Sequence, residues 1–174
     1  NIRLSPTLGG GSLLDAGSYA VSFVILCTRR PPKRVQATSD RHANGVDLTT
    51  VATLDFGDGL LAQVASSFAT GGHRHAIIAG EDGVIETNFL NHPPIGGPAV
   101  LQIRAGKNVS VPFEPAEIPA GNGFLLEAES FARLLRHGEA EWTGATPQDS
   151  IDIALTIDAI QASAASGRWE EIAA

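Results

Sequence analysis

Two segments near the middle of the chain alternate apolar and polar residues, and a glycine-rich turn joins them. The first segment has apolar or small side chains at every second position from Leu48 to Phe56, and the second does so from Leu60 to Phe68. Alternation with a period of two is typical of a strand that buries one face. Because Gly57-Asp58-Gly59 suits a tight turn, the sequence predicts an antiparallel hairpin here.

The same turn formally matches the glycine fingerprint of dinucleotide-binding domains, G-x-G-x-x-A, over residues 57–62. In such domains the fingerprint opens a helix, whose N-terminus holds the pyrophosphate. Here the residues after the glycines keep the strand period. We therefore interpret the match as a hairpin turn and not as a cofactor loop.

Helical patterns stand at both ends of the chain. The first is predicted from Ser12 to about Leu26 and ends at Arg29-Arg30-Pro31-Pro32, because proline cannot continue a helix. The last begins at Thr146-Pro147-Gln148-Asp149, where threonine caps the helix, proline follows and an acid stands third, and it ends at Gly167. A further amphipathic helix is indicated by Phe124, Ala128, Phe131 and Leu135, with its end near Gly138.

Shorter strand-like segments complete the pattern. They are residues 35–39, 76–79, 84–89, and 100–104 paired with 109–113. The predicted fold class is α+β, with an open, mostly antiparallel or mixed sheet of about six strands and helices on one face.

Composition excludes several classes of function. A chain of 174 residues suits one domain, and its net charge of −7 does not favour nucleic acid, which requires a basic face. The apolar run from Ala20 to Cys27 is far shorter than the ~20 residues of a membrane span, so no membrane partner is expected. No basic segment followed by an apolar one marks a secretion signal, and we expect a cytoplasmic protein.

The glycine triplet Gly9, Gly10 and Gly11 precedes the most informative pair of side chains. Asp15 and Tyr19 follow four residues apart, so on a helix they would be neighbours near its N-terminus. Such a pair can handle a proton or bind hydroxyl groups, and the glycines would let a ligand approach. Two simpler interpretations stay open: the helix dipole alone favours an acid in the first turn, and a tyrosine can be a packed aromatic.

The segment G-G-G-S-L-L-D-A-G-S-Y, residues 9–19, resembles the start of the C-terminal domain of the glucose–fructose oxidoreductase / inositol dehydrogenase / rhizopine catabolism (Gfo/Idh/MocA) family. The tyrosine at its end resembles the branch of sugar oxidoreductases and dihydrodiol dehydrogenases. Weaker similarities are the hairpin at residues 54–59, the turn at residues 78–85 and the two closing helices.

The resemblance implies a substrate-binding and oligomerisation domain over residues 1–174, from an NAD(P)-dependent oxidoreductase acting on a sugar, polyol or related hydroxy/keto compound. Tyr19 would protonate or hydrogen-bond the reacting oxygen, Asp15 would orient substrate hydroxyls or a lysine, and Gly9–Gly11 would lie near substrate and cofactor. The family's nucleotide-binding domain and its catalytic lysine have no counterpart in this chain. We therefore expect NAD or NADP to be bound mainly elsewhere and the isolated domain to be inactive. A non-catalytic binding or dimerisation module with the same fold is the alternative.

The side chains on the face of the predicted sheet away from the helices are small and uncharged. Because a solvated face usually carries more charge, this one suits a second copy of the chain, and we expect a homo-oligomer. The residues are Thr49, Val51, Thr53, Gln63, Ala65 and Ser67. His73 and His75 have a spacing that metal sites use, but with no third ligand nearby we expect no metal.

Overall fold

The computed structural model of the chain describes residues 1–88, 100–118, 121–142 and 144–172. These residues form two compact units: unit 1 is Asn1–Thr70 with Ala145–Ala174, and unit 2 is Gly71–Gly144. In chain order the strands are β1 (Arg34–Arg41), β2 (Asp47–Asp55), β3 (Leu61–Ser67), β4 (Ala76–Gly80), β5 (Gly83–Thr87), β6 (Leu101–Ala105), β7 (Glu114–Pro115) and β8 (Glu170–Glu171). The α-helices are α1 (Ser18–Thr28), α2 (Gly123–His137) and α3 (Pro147–Ser166).

The hairpin predicted in the middle of the chain is present in unit 1 as β2 and β3. The two strands pair antiparallel with Val51 opposite Ala65, and the backbone N–H of Phe56 donates to the carbonyl of Leu60 at 3.1 Å across the turn. Gly57 adopts a φ of 80°, a conformation that glycine reaches without strain. The glycine fingerprint therefore closes a hairpin, as expected, and opens no helix.

The sheet of unit 1 has the order β3-β2-β1-β8, and all of its pairs are antiparallel. Helices α1 and α3 pack on each other and on this sheet. Between them lies a core in which Ile25, Leu54, Phe56 and Ile160 are at most 1% exposed. This layer of helices over one face confirms the predicted fold class.

The predicted helix ends of unit 1 are confirmed. Helix α1 stops at Thr28, and Arg29 takes a left-handed conformation with φ 57°, its N–H bonded to Ile25 ahead of the two prolines. Helix α3 begins with a capping box, in which Thr146 and Asp149 each accept from the other's backbone N–H.

The C-terminal part of α3 is tied to the first strand. The side-chain hydroxyl of Ser163, fully buried, accepts from the backbone N–H of Ala37 at 2.9 Å. Gly167 then ends the helix with φ 70°, as predicted, and the chain returns to pair β8 with β1.

Unit 2 contains a second antiparallel sheet in the order β4-β5-β6-β7. The prediction that residues 109–113 pair with β6 is wrong, because those residues include a turn in which the backbone N–H of Val111 donates to the carbonyl of Asn108. The partners of β6 are β5 and β7. Phe89, the end of one predicted strand, lies outside the described residues. The sequence predicts about six strands in one sheet, and the described residues distribute eight over two sheets.

Helix α2 of unit 2 begins after Asn122, whose side chain accepts from the first N–H groups, and ends at Gly138, as predicted. Its apolar side chains are largely exposed. These include Phe124, Leu126, Phe131 and Leu135, which are between 54% and 72% exposed.

The N-terminal helical stretch Pro6–Thr28 is long and apolar enough to cross a membrane by length and composition, with a mean hydropathy of 1.4. Sequence analysis found no apolar run of that length because turn residues interrupt it before Ala20. Within the stretch Leu13, Val21 and Ile25 are at most 3% exposed and belong to the core of unit 1. Mostly buried core helices and signal sequences near the N-terminus pass the same test, and 33% of the apolar window is buried here.

Candidate functional site

The glycine loop folds back on the first residues of the chain. Gly9 has a left-handed φ of 71° and ends a short 3₁₀ turn. A Cβ on Gly10 would lie 2.6 Å from the carbonyl oxygen of Arg3 and 2.8 Å from the backbone nitrogen of Ser5. Gly10 is therefore required for close packing of backbone against backbone. The predicted role of the loop in admitting a ligand stays a prediction.

A buried polar cluster lies behind the loop, and we call it the cap cluster: Ser12, Asp47, Thr50 and Ser66. One carboxylate oxygen of Asp47, Oδ2, accepts from the hydroxyl of Ser12 at 2.7 Å, the backbone N–H of Leu13 at 2.9 Å and the hydroxyl of Thr50 at 3.0 Å. Ser66 shares a hydrogen bond of 3.2 Å with Ser12. All four residues are at most 8% exposed.

Sequence reasoning missed the cap cluster. Asp47 is separated from Ser12 by 35 residues and Ser66 by 54, so no local capping pattern connects them. The available signal was an acid at the very start of a strand that was otherwise apolar and uncharged on its buried face.

Asp15 lies on the first turn of the helical segment, which is wound as a π-helix over Leu13–Gly17 before α1 begins. π-Helical turns are rare and occur frequently at functional sites. The Asp15 carboxylate forms an ion pair with Arg3, Nε to Oδ2 at 3.0 Å, and both side chains are partly exposed. The structure thus brings Asp15 together with the loop and with a cation that sequence reasoning did not consider.

Tyr19 lies in the first turn of α1 and is 50% exposed. Within the described part of the chain, its hydroxyl has no hydrogen-bond partner. A half-exposed phenol with a free hydroxyl does not match a packed core aromatic, whose hydroxyl is normally bonded. Tyr19 therefore offers a donor or acceptor to a molecule that approaches this end of the helix.

Two arginines that follow α1, Arg30 and Arg34, form ion pairs with acids around the β2–β3 turn. Arg34 donates to Asp55 through Nε at 2.9 Å and Nη2 at 2.8 Å, and Arg30 pairs with Asp58. These guanidinium groups lower the pKa of both carboxyls, chiefly through the side-chain hydrogen bonds. Burial raises the pKa of Cys27 on the same helix end. Both guanidinium groups are therefore paired with carboxylates of the same chain.

Unit 2 contains a shallow cavity of about 320 Å³ lined by Phe124, Glu127, Ala128, Phe131 and Trp142. Its lining is largely apolar, and Glu127 is the one ionisable residue in it. Among the described residues, no three His, Cys, Asp or Glu side chains come together as metal ligands.

The start of the helical segment after the glycine loop is occupied by a carboxylate, since the backbone N–H of Leu13 donates to Oδ2 of Asp47 at 2.9 Å. A negative charge already occupies the position that a phosphate would take.

Comparisons with known proteins bear on the family to which the chain belongs. A family model described as the GFO/IDH/MocA C-terminal domain matches residues 1–86. The chain is similar to D-xylose 1-dehydrogenase (NADP(+)) 2 of Haloferax volcanii, with 32% identity over 173 residues, 99% of this chain and 51% of that protein. It is also similar to trans-1,2-dihydrobenzene-1,2-diol dehydrogenase of Xenopus laevis, with 30% identity over 154 residues, 87% of this chain and 46% of that protein.

Among solved structures, an aldose-aldose oxidoreductase from Caulobacter crescentus shares the fold with a TM-score of 0.81 and 22% identity, over 98% of this chain and 50% of that one. The chain thus spans about half the length of the relatives it matches. The glycine loop, Asp15 and Tyr19 lie inside the segment that the family model covers. The chain belongs to the Gfo/Idh/MocA family of oxidoreductases, of which it represents the C-terminal domain.

Proposed function

We propose that this domain binds the substrate and forms the dimer in an NAD(P)-dependent oxidoreductase that acts on a sugar, a polyol or a related hydroxy/keto compound. The relatives named above support the reaction class, because one oxidises D-xylose with NADP and the other a dihydrodiol. A second domain would bind the cofactor. We infer accordingly that the isolated chain neither binds NAD(P) at micromolar concentration nor turns over substrate.

In the proposed reaction Tyr19 hydrogen-bonds the reacting oxygen of the substrate and moves a proton to or from it. The nicotinamide, when bound, supplies or accepts the hydride. A tyrosine in water ionises near pH ~10, so proton transfer at neutral pH requires a nearby cation. The resemblance to the family implies that a lysine of the other domain provides this cation.

Asp15 would act beside Tyr19 as an acceptor for substrate hydroxyl groups or for that lysine. Its present partner, Arg3, is more than half exposed, and an ion pair of that kind is weak in water. The carboxylate can therefore exchange Arg3 for a substrate hydroxyl or a lysine at small cost.

The single observation that carries the proposal is the state of Tyr19. Its phenol is half exposed and unpaired within the described residues, on a helix end that Asp47 and the glycine loop hold in place. Acid–base catalysis requires such a group, held in position and free to reach the substrate.

The test is Tyr19→Phe in the full-length enzyme. We expect kcat to fall by roughly 10²–10⁴-fold with cofactor affinity little changed, because only the proton-handling hydroxyl is lost. Leu26→Ala serves as control, since it shortens another side chain of α1 that is 49% exposed, away from the glycine loop. Unchanged kcat in Tyr19→Phe would remove Tyr19 from the mechanism and favour its interpretation as a packed aromatic.

We also propose that two copies associate through the open face of the unit 1 sheet. On that face Val51 pairs with Ala65, Thr49 with Ser67 and Thr53 with Gln63, and Val51 is 44% exposed. The helices cover the opposite face, so these uncharged side chains are left open. A two-fold axis would place the same patch of each copy against the other.

Ala65→Lys tests this interface. The change places two like charges close to the proposed axis and should convert dimers to monomers in analytical ultracentrifugation. Ala154→Lys is the matched control, since the same substitution falls on an exposed position of α3, on the covered side of the sheet. Identical sedimentation of the Ala65→Lys variant and the parent as oligomers would exclude the sheet face.

A further inference from the structure

Asp47 is the least expected member of the candidate site, because it reaches the helix from a strand. Its carboxylate oxygen Oδ2 receives three donors, from Ser12, Leu13 and Thr50, at 2.7 to 3.0 Å. The N–H of Leu13 opens the π-helical turn that carries Asp15. Asp47 is thus the group that fixes the start of this turn.

The glycines around the turn show how closely it fits against Asp47. A Cβ on Gly11 would lie 2.1 Å from Oδ1 of Asp47, and Gly11 has a φ of 133° that side chains rarely adopt. A Cβ on Gly17 would lie 2.8 Å from Cδ1 of Leu13 and 3.1 Å from the hydroxyl of Ser66. The π-helical turn therefore packs closely on the cap cluster at both ends, through Gly11 against Asp47 and Gly17 against Ser66.

The surroundings of Asp47 favour a negative charge on its carboxylate. Among the described residues its partners are neutral donors and no cation forms an ion pair with it, while the positive end of the helix dipole faces the carboxylate. A neutral side chain of the same shape would lose this attraction. If the amide nitrogen of an asparagine took the place of Oδ2, its N–H groups would face the donors of Ser12, Leu13 and Thr50 and could not accept from them.

We propose that Asp47 is a positioning residue for Asp15 and Tyr19, which holds the first turns of the helix in the orientation that the reaction requires; the proposal rests on the function proposed above. Asp47 does not itself reach the substrate, since it is 8% exposed and its Oδ2 is fully engaged. Catalytic groups displaced by about 1 Å lose about 10²-fold in rate, which makes such a role measurable.

The experiment compares Asp47→Asn with Asp55→Asn, the same substitution at the other end of β2, where the carboxylate pairs with Arg34 at the surface. In the full-length enzyme, Asp47→Asn should lower kcat by about 10- to 100-fold with the KM for the cofactor unchanged. Asp55→Asn should leave both constants close to the parent.

Amide hydrogen exchange on the chain provides the second readout. In Asp47→Asn the amides of residues 13–19 should lose protection while those of β2 and β3 keep it. A merely structural role would instead raise exchange throughout unit 1 and leave the kcat of the folded fraction unchanged. Protection and kcat equal to those of Asp55→Asn would overturn the proposal.

Milder variants cover the case in which Asp47→Asn does not fold. Thr50→Val and Ser12→Ala each remove one donor to Oδ2, and each should lower kcat by a smaller factor and deprotect the same amides. Full kcat and full protection in both would overturn the proposal. If Tyr19→Phe retains its kcat, the proposed function fails, while the exchange result still decides whether Asp47 orders the turn.

Discussion

The two units of this domain are both built on four antiparallel strands, but the buried side chains of the described residues all belong to unit 1. Along the chain, the first of them is Ser12 and the last is Ser163. In unit 2 even consecutive residues of one strand, Ile77 and Ile78, are 55% and 38% exposed. Because consecutive strand residues point to opposite faces, the edge strand β4 is exposed on both of its faces within the described residues.

The difference shows where the candidate site obtains its rigidity. Asp15 and Tyr19 stand on a helical segment that packs on the core of unit 1 and is capped by its buried cluster. The apolar cavity of unit 2, by contrast, lies on a helix whose side chains are exposed. Precise placement of reacting groups requires support of the first kind.

The largest expected contrast is in the free energy of unfolding when an isoleucine is shortened in unit 1 or in unit 2. Ile160→Ala in the core should lower the free energy of unfolding by about 2–5 kcal/mol, because it leaves a cavity at a fully buried position. Ile77→Ala should change it by less than about 1 kcal/mol, since that side chain is more than half exposed. Chemical denaturation of both variants measures the difference. Equal losses would show that unit 2 has a core of its own.

A smaller contrast is expected between two glycines. Gly11→Ala should destabilise by roughly 1–3 kcal/mol, because it combines an unfavourable φ with a clash against Asp47. Gly71→Ala should be nearly neutral, as nothing lies within 4 Å of its Cβ position. Thermal unfolding of the two variants decides the point. A neutral Gly11→Ala would mean that the glycine loop can move away from the cap cluster.

The smallest expected effect is a difference between the caps of α3 and α2 in how their contribution to stability depends on pH. Hydrogen bonds from the backbone and side chain of Thr146 hold the pKa of Asp149 below its ordinary 3.8. The cap of α3 therefore contributes stability at neutral pH and loses it as the pH falls below that value. The cap of α2 is Asn122, which is neutral and does not titrate.

The check is the melting temperature of the parent and of Asp149→Asn across the acid range. The parent should lose more stability than the variant between neutral pH and about pH 3, since the variant lacks the titrating group. Asn122→Asp, as a control in unit 2, should introduce a pH dependence of the same sign. Identical acid dependence of the parent and Asp149→Asn would exclude the capping box as its source.

Features specified by neighbouring residues could be predicted from the sequence. The β2–β3 hairpin follows from two-residue alternation and a glycine turn, and the ends of α3 follow from Thr146, Asp149 and Gly167. The glycine loop and Asp15–Tyr19 spacing likewise lie within eleven consecutive residues. Their chemical roles stay predictions, because the molecule that they would contact is outside the chain.

Features that depend on distant residues could not be predicted. The strand β7, which pairs with the outer edge of β6, has two residues, too few to show a period, and one of them is Pro115. The capping of the first helical turn by Asp47 depends on how β2 is placed, which no local pattern encodes. The close approach of Gly11 to Asp47 and of Gly17 to Ser66 likewise joins residues that are far apart in the sequence.

The bond between Ser163 and Ala37 also sets an order of events during synthesis on the ribosome. Its two groups are 126 residues apart, so the amide of Ala37 emerges long before the hydroxyl that binds it. Until then β1 lacks α3 on its inner face as well as β8 at its edge. A nascent chain that stops before residue 163 should therefore remain sensitive to proteases and open to chaperones, and native structure in unit 1 should be completed only after β8 has emerged from the ribosome.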